Sequence, residues 1–194
     1  MILKSFSAKC LVACGLLAVG GVFASAQKPA PIAKPASGQR SVVKQIDIFA
    51  LKNLVKPSRK PRLINFWATW CDPCREEFPD LVKIDDEYRG KIDFITVSLD
   101  DLAEIDRDVP KFLAEMKAFM PAYLLKTDDE NAAISAVSQE WKGGLPFTIL
   151  FDENGGVSYF RQGKINVETV RSRINGLVSP PLASPAVDPS VKQN

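Results

Sequence analysis

The apolar positions in the middle of the chain follow two spacings, one typical of strands and one typical of helices. Residues 62–68 form a short apolar run after Pro61, as expected of a central strand that is buried on both faces. Residues 91–99 alternate in polarity and are rich in β-branched side chains, which indicates another strand. Further strands are predicted at 122–126, 147–151 and 157–161, and helices at 46–55, 73–88, 109–120, 131–138 and 167–177.

Prolines and acidic residues mark where several of these elements begin, bend or end. Pro79 is expected to kink the 73–88 helix, and Pro121 to stop the 109–120 helix. Asp128 or Asp129 is the N-cap of the helix that follows, and the Asp-Glu-Asn-Gly-Gly run at 152–156 is typical of a hairpin turn. Strands that alternate with helices and end in a hairpin predict an α/β fold, a mixed β-sheet flanked by helices on both faces.

The first 26 residues have the features of a secretory signal peptide. Lysines at 4 and 9 precede an apolar run that ends in Ala-Ser-Ala at 24–26, which predicts cleavage before Gln27. Leu-Val-Ala-Cys at 11–14 is a less favoured alternative, a lipobox in which Cys14 would carry a lipid anchor. A retained membrane anchor is a third alternative, although the run is shorter than the roughly 20 residues that span a bilayer. We therefore expect an exported, periplasmic or otherwise extracytoplasmic protein.

Two proline-rich segments flank the predicted domain. Residues 27–40 are rich in Pro, Ala and Lys without apolar periodicity, which indicates a linker. Residues 179–194 contain four prolines and are predicted to be a disordered tail. One folded domain at 41–178 remains between them.

Composition excludes several classes of function. Lys+Arg is 25 against Asp+Glu 23, a balance that does not favour a nucleic-acid partner. The chain has no histidine, which rules out Ser/His/Asp triads, Cys/His nucleophile pairs and imidazole-ligated metals. It also lacks a Gly-rich phosphate loop, so that neither a nucleotide nor a flavin is implied. We expect no cofactor and no metal.

The cysteines are the candidate chemistry. Cleavage of the signal peptide leaves Cys71 and Cys74. A disulfide across so short a spacing would restrain little of the unfolded chain, and two cysteines are too few ligands for a structural zinc site. Cys71 is predicted at a helix N-terminus, where free N–H groups and the helix dipole stabilise a thiolate. Pro73 suits the first turn of that helix, and Cys74 is placed to attack a mixed disulfide on Cys71. The Asp72 carboxylate disfavours the thiolate and so favours a reducing role.

The segment at 65–79, Asn-Phe-Trp-Ala-Thr-Trp-Cys-Asp-Pro-Cys-Arg-Glu-Glu-Phe-Pro, resembles the active-site segment of the TlpA/ResA-like branch of the thioredoxin superfamily. The resemblance implies a thioredoxin-like fold and extends to about residue 175. It also implies that the Leu145–Pro146 bond is cis and that Leu145 pairs with a bound substrate strand. Glu77 would tune the protonation of the cysteine pair, or else be a carboxylate favoured by the helix dipole.

The resemblance implies an enzyme, a protein-disulfide reductase in which Cys71 attacks and Cys74 resolves. Its substrates would be disulfide-containing extracytoplasmic proteins. The residues expected to bind them are Trp70, Asp72, Pro73, Leu145 and Pro146. A membrane thiol electron donor would restore the dithiol. Cytochrome c maturation is the best-known role of some relatives. The alternatives are a disulfide-forming or isomerising catalyst and a non-catalytic binding module of the same fold. A peroxidase fits less well because the mature chain has no separate resolving cysteine.

Overall fold

The computed structural model describes residues 42–179. In this part of the chain six strands form one mixed sheet in the order β1-β4-β3-β2-β5-β6. β1, β4, β3 and β2 run parallel, whereas β5 is antiparallel to both β2 and β6. The elements are β1 (Val43–Ile46), α1 (Ile48–Leu54), β2 (Arg62–Trp67), α2 (Asp72–Tyr88), β3 (Asp93–Ser98), α3 (Asp108–Glu115), β4 (Ala122–Leu125), α4 (Glu130–Val137), β5 (Phe147–Phe151), β6 (Val157–Gln162) and α5 (Val167–Val178), with a short 3-10 helix at Leu102–Glu104.

Helices cover both faces of the sheet, as the sequence predicts. Because successive side chains of a strand point to opposite faces, β2 contributes to two separate cores. Leu63 and Trp67 pack with apolar residues of α2, α3 and α5. Ile64 and Phe66 pack with apolar residues of α1 and α4 on the other face. The prediction that this strand is buried on both sides is confirmed.

The predicted helix at 46–55 is wrong at its start. The structure places strand β1 at Val43–Ile46, and the helix begins only at Ile48, where Asp47 accepts a 2.8 Å hydrogen bond from the Ala50 N–H. β1 has four residues, two of them exposed, so that its sequence carries little apolar alternation. It is a strand because β4 supplies a parallel partner, which is a tertiary contact.

The helix predicted at 109–120 ends early, at Glu115. The Ala118 N–H donates to the Leu113 carbonyl at 2.9 Å, and Lys117 takes a φ of 56°, the left-handed conformation of a Schellman cap. Pro121 is therefore not the residue that stops the helix. Glycine usually fills this position, so that a lysine there gives no sequence signal.

The remaining elements agree with their predictions within one or two residues. α2 continues through Pro79, where the kink stays a prediction. The hairpin forms at the predicted turn, with Asp152 accepting from the N–H groups of Asn154 and Gly156 at 2.8 and 2.7 Å. No described helix has the length and apolar character needed to cross a membrane. The predicted signal peptide at 1–26 with Cys14, the linker at 27–40 and nearly all of the tail at 179–194 lie outside the described residues.

The structure decides between the two candidate caps of α4. The Asp129 carboxylate accepts a 2.8 Å hydrogen bond from the Ala132 N–H. We expect Asp129→Ala to lower the free energy of unfolding by about 1 kcal/mol because it removes this cap. Asp128→Ala, the matched control, should change it by less than about 0.5 kcal/mol. Urea unfolding of both variants provides the measurement, and equal losses would contradict the assignment of the cap.

Candidate active site

The two cysteines lie where β2 gives way to α2, as predicted. They are joined by a disulfide, with their Cα atoms 5.3 Å apart. Cys71 is the N-cap residue of α2, and its Sγ accepts a hydrogen bond of 3.3 Å from the Cys74 N–H. Cys71 is 5% exposed, whereas Cys74 is fully buried. The structure thus places the first sulfur at the helix N-terminus and the second behind it.

Asp100 holds the loop that precedes the cysteines. Its buried carboxylate accepts from the Thr69 N–H at 3.0 and 3.1 Å, from the Thr69 hydroxyl at 2.6 Å and from the Ser98 hydroxyl at 2.6 Å. β2 and β3 are parallel neighbours, so that their carboxyl ends meet at one edge of the sheet. Sequence analysis missed Asp100, for which an acidic residue directly after an apolar strand was the only signal.

Leu145 and Pro146 lie in the loop before β5, and Leu145 reaches the cleft beside Cys71. The peptide bond between them is cis, as the resemblance implies. Leu145 lines the same cleft as Cys71, and its backbone N–H and C=O have no hydrogen-bond partner among residues 42–179. Pro146 is buried, and its carbonyl accepts from the Gly163 N–H at 2.8 Å. Leu145 therefore keeps its backbone groups available for an extended segment of another chain.

Two residues that sequence analysis missed hold this loop. The Trp141 indole N–H donates to the Gly144 carbonyl at 3.0 Å, and its ring stacks on Phe147 with centroids 4.8 Å apart. The Gln162 amide oxygen accepts from the N–H groups of Lys142 and Gly144 at 3.2 and 3.3 Å. A Cβ on Gly144 would lie 2.6 Å from the end of the Gln162 side chain, so that a larger residue there would displace the Gln162 amide from its present position.

Glu77 is a buried carboxylate on the face of α2 that carries Cys74, one turn further along. It is 3% exposed and accepts from Asn65 Nδ2 at 2.8 Å and from the Ile165 N–H at 2.9 Å. Burial raises the pKa of Glu77 to about 7, although both hydrogen bonds and the nearby Lys164 ammonium oppose the shift. Such a pKa lets the group gain or lose a proton near neutral pH.

Three consecutive residues of the loop between β6 and α5, Gly163–Ile165, connect Glu77 with the cis-proline. Gly163 donates its N–H to the Pro146 carbonyl, and Ile165 donates its N–H to the Glu77 carboxylate. Between them, the Lys164 ammonium pairs with Glu76 at 2.7 Å. Gly163 has a φ of 88°, which a glycine adopts without strain. Residues far apart in sequence are thereby held together on one side of the disulfide.

Asn65 occupies the strand position next to Glu77. Its Nδ2 donates both to Glu77 and to the Thr148 hydroxyl, at 2.8 and 2.9 Å, while its Oδ1 is buried without a partner in the described part of the chain. This arrangement matches an ionised Glu77. Rotation of the amide would let Oδ1 accept from a protonated Glu77 and from the Thr148 hydroxyl, so that Asn65 can pair with either form of the acid.

The remaining predicted site residues surround the cleft beside Cys71, which has a volume of about 560 Å³. Trp70 is 68% exposed, and Asp72 and Pro73 are exposed on the first turn of α2. All three line the cleft together with Leu145.

Within residues 42–179 no group of three or more acidic or cysteine side chains is arranged to hold a metal ion. The expectations of no metal and no cofactor stay predictions.

The raised pKa of Glu77 predicts a specific pH dependence of stability. Between pH 4.5 and 7 the folded protein binds more protons at Glu77 than the unfolded chain does, so that this group's contribution to stability is lost as pH rises through about 7. The loss is on the order of 3 kcal/mol. We expect Glu77→Gln to remove it. The exposed Glu76→Gln is the matched control and should keep the wild-type profile.

Urea unfolding of the disulfide form at pH 5, 6, 7 and 8 measures this difference. The gap in the free energy of unfolding between Glu77→Gln and the wild type should shift in favour of the variant as pH rises. A gap that is constant over this range would contradict the raised pKa.

Comparison with known proteins finds relatives that are similar to this chain over most of the described residues. The model of the Redoxin family matches residues 49–177. The chain is 28% identical over 116 residues to the thioredoxin-like protein YneN of Bacillus subtilis, covering 60% of this chain and 64% of the relative. It is also 28% identical over 116 residues to the thiol-disulfide oxidoreductase ResA of Oceanobacillus iheyensis, covering 59% of this chain and 56% of that one. These matches span less than two thirds of either relative.

A structural comparison gives the same fold. The solution structure of a thiol:disulfide interchange protein from Bacteroides sp. superposes with a TM-score of 0.52 at 24% identity, covering 66% of this chain and 77% of the other. The predicted thioredoxin-like fold is thereby confirmed, and so is the resemblance based on the segment at 65–79. The chain belongs to the Redoxin family, within the TlpA/ResA-like branch of the thioredoxin superfamily.

Proposed function

We propose that this protein is an exported thiol:disulfide oxidoreductase that reduces disulfides in other extracytoplasmic proteins. One observation carries the proposal: the Cys71–Cys74 pair lies at the N-terminus of α2, and Cys71 lines a cleft that is also lined by Leu145, whose backbone groups are unpaired within residues 42–179. A binding module of the same fold would not require a redox pair in this position. The relatives named as thiol-disulfide oxidoreductases support the same chemistry.

The proposed reaction starts from the reduced pair. The Cys71 thiolate attacks one sulfur of the client disulfide, forms a bond to it and releases the other client sulfur as a thiolate. Cys74 then attacks the Cys71 sulfur and releases the second client thiolate. Two electrons pass to the client, and the disulfide seen in the structure is the oxidised product. A thiol donor in the membrane would return two electrons and restore the dithiol.

The surroundings of each sulfur fit its proposed part. Free N–H groups of the first turn of α2 stabilise the Cys71 thiolate. Cys74 is fully buried and cannot lose its proton directly to water, so that Glu77 on the same helix face would accept it.

In a disulfide-reduction assay, the rate of the Glu77→Gln variant should lose its pH dependence near 7, because the group that accepts the proton is gone. The rate of the Glu76→Gln variant should retain it.

Charge near the pair favours reduction over oxidation. Asp72 is an exposed carboxylate next to Cys71, and Glu77 is a buried acid close to Cys74 in sequence. Negative charge beside a sulfur disfavours its thiolate form. Strong oxidants have a reduced form whose thiolate is stabilised, so that this charge favours a reductant instead. Reduction of apocytochrome disulfides during cytochrome c maturation is one setting in which such a reductant would act.

Export is part of the proposal and depends on the sequence of residues 1–26. A signal peptide cleaved after Ala26 would leave a mature protein that begins at Gln27 and contains two cysteines. N-terminal mass analysis of the protein from intact cells should give Gln27 as its first residue. A lipid-modified Cys14 as the first residue would contradict cleavage after Ala26 and would indicate a membrane-anchored lipoprotein.

The reduction potential of the Cys71–Cys74 pair tests the direction of the reaction. We expect a value near or below about −230 mV, toward the thioredoxin end of the known range. Equilibration of the purified exported protein in dithiothreitol or glutathione buffers, followed by thiol quantification, provides the measurement. A potential near about −120 mV would contradict the reductase and make disulfide formation the function. Cys71→Ser and Cys74→Ser are matched controls that should show no two-electron transition.

A further inference from the structure

A second cavity adjoins the cleft beside Cys71 and extends it along the carboxyl-terminal edge of the sheet. This cavity, of about 430 Å³, lies between the ends of β3 and β4 and the start of α4. It shares Leu99, Glu130 and Gly143 with the lining of the cleft. The two are therefore continuous. We call the combined feature the α4 groove, defined by the residues that line either cavity.

The ionisable side chains of the α4 groove are unevenly charged. Asp128 and Glu130 are exposed and have no ion-pair partner among residues 42–179. The whole chain is close to neutral, so that this excess is local. The lining contains five acidic residues and one basic residue: Asp72, Asp100, Asp101, Asp128 and Glu130 against Lys126.

The α4 groove also contains apolar lining residues. Ala133, Ile134 and Trp141 line the α4 side, and Leu99, Leu102 and Leu125 line the sheet side. A lysine or arginine side chain combines an apolar stem with a cationic head. The stem suits the apolar lining and the head suits the carboxylates. The groove thus has the charge and polarity of a subsite for a basic side chain.

The opposite side of Cys71 differs in charge. There a cleft of about 310 Å³ lies between the start of α2 and α3. Two basic and two acidic residues line it, Arg75 and Lys111 with Asp108 and Glu115. Their charges cancel. An electrostatic preference would therefore act on one flank of a bound client segment and not on the other.

We propose that the α4 groove is an interaction surface for client proteins that carry a lysine or arginine near the cysteine that bonds to Cys71. The client cation pairs with Asp128 and Glu130 while its stem packs on the apolar lining. The inference rests on the proposed function and deepens it, because it names the chemistry of the client. It requires no change of the Cys71–Cys74 reaction itself.

A single-turnover exchange reaction tests the proposal. The full chain with Cys74→Ser is loaded at Cys71 with 5-thio-2-nitrobenzoate as a mixed disulfide. Nine-residue peptides with one cysteine carry Lys, Ala or Glu at one of the three positions on either side of it. The peptide thiolate attacks the Cys71 sulfur, a peptide–Cys71 disulfide forms, and the coloured thionitrobenzoate leaves. Each rate is divided by that peptide's rate with the free reagent, which corrects for differences in thiol acidity.

At low salt we expect the normalised rate of the Lys peptide to exceed that of the Glu peptide about fivefold at one position or more, as exposed ion pairs allow. The ratio should fall toward one in 0.5 M salt because exposed charges are screened. Asp128→Asn with Glu130→Gln should reduce it below about twofold, and Glu130→Lys should favour the Glu peptide. The matched control on the other flank, Asp108→Asn with Glu115→Gln, should keep the wild-type ratio.

Equal normalised rates for Lys and Glu peptides at every position would overturn the α4 groove as a selective surface. The same conclusion would follow if the ratio of Lys to Glu rates fell as much in the control variant, Asp108→Asn with Glu115→Gln, as in the variant of the α4 groove. Either result leaves the proposed reductase intact, because the reduction potential tests it separately. Conversely, a preference for the Lys peptide in a protein with an oxidising potential would support the α4 groove as a selective surface and contradict the proposed reductase.

Discussion

The site depends on the burial of β2 at the centre of the sheet. Both of its faces are packed, which fixes where the strand ends and where α2 begins. Cys71 is the N-cap of α2 at this junction, and its sulfur accepts a hydrogen bond from the Cys74 N–H in the first turn. The Asp100 carboxylate, which accepts from Thr69 and Ser98, fastens the intervening loop to the neighbouring strand. A rigid strand and a rigid helix thus hold the reactive sulfur between them.

Burial of Glu77 gives the site its second property, a proton site next to a redox pair. A carboxylate in an apolar interior favours its neutral form, and the hydrogen bonds from Asn65 and Ile165 only partly offset this effect. Ile165 belongs to the loop that also holds the Pro146 carbonyl through Gly163. The substrate-facing loop and the proton site are therefore attached to one segment of backbone, and displacement of that segment would affect both.

Much of the fold could be predicted because its signals are local. Apolar runs mark β2 and β3, and the Asp-Glu-Asn-Gly-Gly run marks the turn between β5 and β6. β1 was missed because four residues with two exposed side chains carry no clear period, and only pairing with β4 makes them a strand. The early end of α3 was missed because Lys117 fills a cap position that glycine normally signals.

The sequence by itself determined the cysteine pair, its place at a helix N-terminus and the family resemblance, because these lie in one continuous segment at 65–79. Tertiary structure decided the rest of the site. Asp100, Trp141, Gln162 and the Gly163–Ile165 loop come from separate parts of the chain and act through contacts that no local pattern encodes. The pKa of Glu77 and the charge of the α4 groove likewise arise only when folding buries one carboxylate and gathers others along one edge of the sheet.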